Sequence, residues 1–303
     1  MTPKSRENCG IALTSKVALT PFSSPRYLRP MHQGTALRVS ISNHVAEVTL
    51  LGPGKGNALG PDFWKECPEV FRALDKDDNV RAVVVHGAAG NFTYGLDLKG
   101  MMGTLGPHLS GDHLARARTQ FLDLVHQLQE SFDAVAACRK PVIAAISGRC
   151  IGGGVDMIAA CDVRLATKDA TFSVREVKVA MVADLGSLQR LPKIIGQGHT
   201  RELAYTGKDI DAARAKSIGL LGDVFENEEA LLNAARAMAQ EIALNPPLVV
   251  QGIKQVLDFS DGKSVREGEQ FVAVWNAAFL ASKDLMEAMG AFMEKRAPNF
   301  KGE

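Results

Sequence analysis

The sequence predicts an α/β chain that finishes in helices. Three observations carry this: short Val- and Ala-rich runs that read as buried strands, amphipathic helical stretches between them, and purely helical periodicity after Pro192. From Leu37 the apolar residues alternate, and Val39 and Ile41 followed by Val45 to Leu51 predict a hairpin closed by Ser42-Asn43-His44. Pro61 to Leu74 has helical spacing, and Val80 to His86 reads as a buried strand. Leu114 to Ala137 predicts a long amphipathic helix, and Pro141 to Ser147 a second buried strand running into a glycine turn. Val155 to Ala160 reads as a short helix launched by that turn, with strands at Val163 to Ala166 and Thr171 to Val174. Helices then follow at His199 to Tyr205, Ala212 to Ile218, Glu228 to Leu244, Leu248 to Leu257 and Val265 to Met293. The expected organisation is an N-terminal extension over residues 1–34, a core over 35–225 and a helical region over 226–303.

Composition narrows the function. In 303 residues, 46% of them hydrophobic, there is ample material for a packed core. The 35 basic and 34 acidic residues nearly cancel, which argues against a chain-wide grip on nucleic acid or an anionic membrane. Five cysteines without a Cys-x-x-Cys pair read as free thiols in a reducing compartment, and the seven histidines show no metal spacing. No apolar run reaches the roughly 18 residues a membrane helix needs. The first thirty residues carry five basic side chains (Lys4, Arg6, Lys16, Arg26 and Arg29) against the single acid Glu7, as a mitochondrial presequence would. Pro3, Pro21, Pro25 and Pro30 oppose the helix such a signal needs. A disordered extension on a cytoplasmic protein is therefore the expectation, with the mitochondrial matrix as the alternative.

Two segments point to chemistry. Asn91-Phe92-Thr93-Tyr94-Gly95-Leu96-Asp97-Leu98 and Gly148-Arg149-Cys150-Ile151-Gly152-Gly153-Gly154-Val155-Asp156 each follow a β-branched run. Glycine lets the chain turn sharply and a ligand approach the main chain. Two such turns can aim two amides at one oxygen, the recipe for an oxyanion hole, where each donor is worth roughly 2.7–4 kcal/mol. Asp156, Glu176 and Asp184 supply carboxylates for moving protons beside a carbonyl. Neither a Gly-x-Gly-x-x-Gly nor a Gly-Lys-Ser/Thr phosphate loop is present.

The combination resembles the crotonase, or enoyl-CoA hydratase/isomerase, superfamily over roughly residues 35–300. The resemblance implies a spiral of ββα turns followed by a helical region that trimerises, giving a homotrimer or a dimer of trimers. It implies an acyl-CoA substrate, with no metal and no separate cofactor, and the Tyr94 and Gly153 amides as oxyanion donors. Lys55, Asn57 and Ala58, and Gly95, Leu96, Asp97 and Leu98, correspond to the two substrate loops. Phe292, Lys295 and Arg296 resemble a tail that reaches a neighbouring subunit. Hydratases carry Glu at the first two acid positions and commonly Gly at the third; this chain has Asp156 and an additional acid, Asp184. The segments around Asp162, Glu176 and Ala183-Asp184-Leu185-Gly186 look like those of Δ3,5-Δ2,4-dienoyl-CoA isomerases. That likeness implies a shift of a 3,5-dienoyl-CoA to the 2,4-isomer, with Asp184 as base, Glu176 as acid and Asp156 as the polar neighbour that tunes them. The alternatives are a hydratase using Asp156 and Glu176 on water, and a non-catalytic or RNA-binding protein on the same fold.

Overall fold

A computed structural model describes residues 29–109 and 114–303. Strands β1 (Arg29–Gln33), β2 (Leu37–Ser42) and β3 (Val45–Leu50) form an antiparallel meander. Onto β3 the sheet continues in parallel through β4 (Ala82–Gly87) and β5 (Val142–Ile146). β6 (Arg149–Ile151) leaves this sheet, while β7 (Val163–Thr167) rejoins it beside β5. β8 (Thr171–Ser173) pairs with β6, and β9 (Ile210–Asp211) with β8, in a small second sheet, while β10 (Asp223–Phe225) forms the far edge of the seven-stranded one.

Helix α1 (Pro61–Lys76) starts on a proline, whose fixed φ suits a first helical position, and α3 (Leu114–Ala137) packs along it. Between them lies α2 (Leu98–Leu109), followed along the chain by α4 (Gly153–Ala160) and α5 (Ser187–Thr206), which bends at Gly196 with φ 76°. α6 (Ala212–Ser217) and α7 (Glu228–Ala243) lead into α8 (Pro247–Ser260), α9 (Val265–Phe279) and α10 (Lys283–Glu294).

The pleat divides the core in two. Val83 and Val85 of β4 face the cluster built with α1, α3 and α4, whereas Ala82 and Val84 face Leu231, Ala235, Ala239 and Ala243 of α7. α7 lies beyond the expected boundary at 225 yet packs on the sheet, and α8 is tied to the core through Lys254, whose Nζ donates to Asp162 (2.8 Å). Strand β1 likewise lies within the stretch expected to be an extension, paired to β2. The single helix expected over Val265 to Met293 is broken at residues 280–282, where the Ser282 hydroxyl accepts the Leu285 N–H (3.1 Å) and restarts the chain as α10. The last residues are fastened down: Asp284 accepts the amides of Lys301 (2.8 Å) and Gly302 (2.9 Å), and Arg81 donates to the Phe300 carbonyl (2.8 Å).

Candidate active site

The two glycine segments lie side by side because their backbones are stitched together. The Thr93 N–H donates to the Arg149 carbonyl (2.9 Å) and the Ile151 N–H to the Thr93 carbonyl (3.0 Å), extending the β6 pairing across to the first segment. The buried Asn57 amide donates to the carbonyls of Ala88 and Asn91, both at 2.8 Å, and the Thr93 hydroxyl donates to the Asn57 carbonyl (2.7 Å). These bonds hold the turn that follows.

Gly95 and Gly152 then take φ values of 84° and 53°, which a side chain would strain. The residue after each presents an amide to a cavity of about 150 Å³. Leu96 N–H has no hydrogen-bond partner among the described residues. Gly153 is the first residue of α4, so its N–H has no intrahelical carbonyl to reach. A Cβ built on Gly95 would come within 3.4 Å of the Gly153 nitrogen, which measures how closely the two turns approach.

This corrects the expected pair of donors. The Tyr94 amide is already committed to the Gly56 carbonyl (2.8 Å), so Leu96 takes its place beside Gly153. The Tyr94 ring, half exposed, instead lies at the cavity wall, with the Arg149 guanidinium 6.0 Å from its centroid. The sequence carried a signal for this: each amide belongs to the residue directly after a glycine that turns the chain.

The substrate-loop residues divide. Gly95, Leu96 and Leu98 line the cavity. Asn57 is a buried brace whose side chain is used up on three carbonyls, and Ala58 packs its backbone on Gly52. Asp97 accepts the Gly100 N–H (2.9 Å) and so caps α2. The side chain of Lys55 lies outside the described residues. At the C-terminus Arg296 forks onto Glu287 (2.5 and 2.9 Å) and also binds Glu294, so its charge is matched within its own helix end; Lys295 is the left-handed cap of α10.

All three acids reach the cavity wall. Asp156, on α4, is buried and accepts the Ser187 N–H at the start of α5 (2.6 Å), yet burial pushes its carboxyl up to about 6. Glu176 opens a short 3-10 turn, and its Oε1 lies 3.1 Å from where a Cβ on Gly152 would be. Its Oε2 is buried with no partner among the described residues. Burial, and then the neighbouring Asp156 charge, raise Glu176 to about 7. Asp184 is more exposed and is raised by partial burial; Gln129 of α3 holds its backbone carbonyl (2.6 Å). Glu176 is therefore the acid that touches the glycine turn, and no similar approach of Asp184 to Gly152 or Gly153 occurs. Most of the remaining wall is apolar, including Leu105, Phe121, Val125 and Leu128, with Arg175 as the one cation among the described lining residues. No cluster of His, Cys, Asp and Glu able to hold a metal occurs among the described residues, and no described helix is long and apolar enough to cross a membrane.

One expected result follows from the electrostatics. A reaction that takes a proton at one acid and returns one at another needs a single proton on the Glu176–Asp184 pair, so kcat/KM should fall as the last proton leaves, near pH 7. Asp156→Asn removes a negative neighbour and lowers Glu176, so this falling limb should move to lower pH in pH–rate profiles. A limb that stays in place or moves to higher pH refutes the coupling.

The family model described as enoyl-CoA hydratase/isomerase matches residues 40–303. The chain is 42% identical over 291 residues to the mitochondrial Δ(3,5)-Δ(2,4)-dienoyl-CoA isomerase of Dictyostelium discoideum, covering 95% of this chain and 96% of that one. It is 41% identical to the peroxisomal Δ(3,5)-Δ(2,4)-dienoyl-CoA isomerase of Arabidopsis thaliana, covering 87% and 95%. Among solved structures, the enoyl-CoA hydratase from Bacillus anthracis matches with a TM-score of 0.80 at 30% identity, over 88% of this chain and 100% of that one.

Proposed function

The chain belongs to the enoyl-CoA hydratase/isomerase family, and from that premise we propose how its own residues shift the double bonds of a 3,5-dienoyl-CoA to give the 2,4-dienoyl-CoA. The thioester oxygen sits between the Leu96 and Gly153 amides, which stabilise the negative charge that develops on it. Glu176 takes the proton from C2. The freed pair becomes the C2–C3 double bond, the C3–C4 bond shifts to C4–C5, and the C5–C6 pair accepts a proton at C6 from Asp184. One proton leaves and one arrives, with no net change in electrons, so the step as written calls for neither a metal nor a redox cofactor.

The observation that supports this reading is that two separate acids line one cavity, Glu176 against the Gly152 turn and Asp184 making no such approach. The roles are thus the reverse of those first expected, because C2 adjoins the carbonyl and C6 lies four bonds away. Asp156 acts through Glu176 by its charge and through the Asp184 segment by its bond to Ser187.

Asp184→Asn should lower conversion of a 3,5-dienoyl-CoA by about 10²-fold, a modest loss because Asp184 is open enough for water to replace it. Exchange of the C2 proton with deuterated solvent, followed by NMR, should persist. Unchanged formation of the 2,4-diene chromophore in the variant would overturn the role of Asp184. Rapid loss of a 2-enoyl-CoA chromophore by the wild type, with no dienoyl conversion, would establish the hydratase instead.

For assembly, a homotrimer or a dimer of trimers is supported by the apolar outer faces of α9 and α10, where Val265, Val274, Phe292 and Met293 are each at least 69% exposed. For location, the named compartments of the relatives, mitochondrial and peroxisomal, together with the acid-poor first thirty residues, favour the interior of an organelle over the cytoplasm.

A further inference from the structure

We propose that Trp64 and Leu128 form the stop that limits acyl-chain length, so that this site takes dienoyl thioesters with short and medium tails and rejects long ones. This rests on the acyl-CoA reading above. Behind the catalytic cavity a second hollow of about 290 Å³ opens to the outside between α1, α2 and α3. The described walls of the cavity and this groove have only Trp64 and Leu128 in common. Helix α2 completes the partition, turning Leu98 and Leu105 to the cavity and Met101 and Thr104 to the groove.

The partition is built to stay shut. Trp64 is 6% exposed and Leu128 8%. The indole is wedged edge-on against Phe63 (5.1 Å between centroids, 87°) and Phe132 (5.6 Å, 73°), while the Ser131 hydroxyl donates to the Trp64 carbonyl and fixes α1 against α3. A tail that meets this wall can pass straight through it only by displacing a close-packed aromatic, which interiors resist. Shortening either side chain joins the cavity to the groove, whose wall offers Met101 and Leu124 to further methylenes.

The test compares kcat/KM for 3,5-octadienoyl-CoA and 3,5-hexadecadienoyl-CoA in the wild type, Trp64→Ala, Leu128→Ala and Trp64→Phe. The wild type should prefer the shorter substrate by about tenfold or more, and each Ala variant should raise the long-to-short ratio by about tenfold. Trp64→Phe keeps a bulky ring and should hold the wild-type ratio. Calorimetric affinities for octanoyl-CoA and palmitoyl-CoA, which cannot react, should follow the same pattern. Equal use of both lengths by the wild type, or an unchanged ratio in the Leu128 variant as well as the Trp64 variant, overturns the inference. Failure of the isomerase reading would look different: no dienoyl-CoA is converted, while the affinities for the saturated thioesters still depend on length and on Leu128.

Discussion

Glu176→Gln is expected to lower kcat for dienoyl-CoA isomerisation by about 10⁴-fold, the upper end of what a positioned acid–base group supplies. Glutamine keeps the shape but cannot accept the C2 proton, and Glu176, more withdrawn from solvent than Asp184, is harder for water to replace. Binding of a saturated acyl-CoA should change little, so the loss falls on kcat rather than on substrate affinity. The same substitution should stabilise the fold at alkaline pH. Glu176 has its folded-state value raised from 4.5 to about 7, so its stabilising contribution is complete below the unfolded value and is lost as pH rises through that window. The loss is on the order of 3 kcal/mol. Thermal melts should therefore show the variant above the wild type at about pH 8 and level with it at about pH 4. An active variant, or one with no pH-dependent gain in Tm, contradicts the assignment.

Gly95→Ala is expected to cost about 10³-fold in kcat. At φ 84° a Cβ is strained, and here it would sit 2.6 Å from the Ile151 carbonyl oxygen and 3.4 Å from the Gly153 nitrogen. The turn must open, which carries the Leu96 amide away from Gly153 and removes one donor from the shared oxygen. Circular dichroism and thermal melts separate this from unfolding, and soaking with a saturated acyl-CoA would show the carbonyl displaced. Near-wild-type kcat in a folded variant would mean that the Leu96 amide does not serve the reaction.

The apolar strands and most helices were legible because their periodicity is strong: Leu114–Ala137 is found at its expected bounds. Elements broken by special residues were not. α2 was not among the expected helices, because Gly100, Gly103, Gly106 and Pro107 break its periodicity, yet it is capped by Asp97 and held against α3. α5 was seen only in its second half because Pro192 and Gly196 interrupt the pattern. β6, three residues long, was lost in the glycine turn it leads to. The three acids and Gly153, which the fold brings to one cavity, stand out in the sequence by residue type. Tyr94 against Leu96 could not, because the choice depends on a main-chain bond from residue 94 to Gly56, and no side-chain pattern encodes that bond. The approach of Glu176, rather than Asp184, to Gly152 was hidden for the same reason: it is a matter of distance across two segments that only folding brings together.

The stitching of Thr93 to Arg149 and Ile151 has an evolutionary corollary. The amides that face the cavity are peptide groups, which side-chain substitutions other than proline leave in place, whereas the acids beside them are ordinary side chains on three separate segments. Such a scaffold can exchange one reaction for another by replacing a single carboxylate while the activated carbonyl stays where it is.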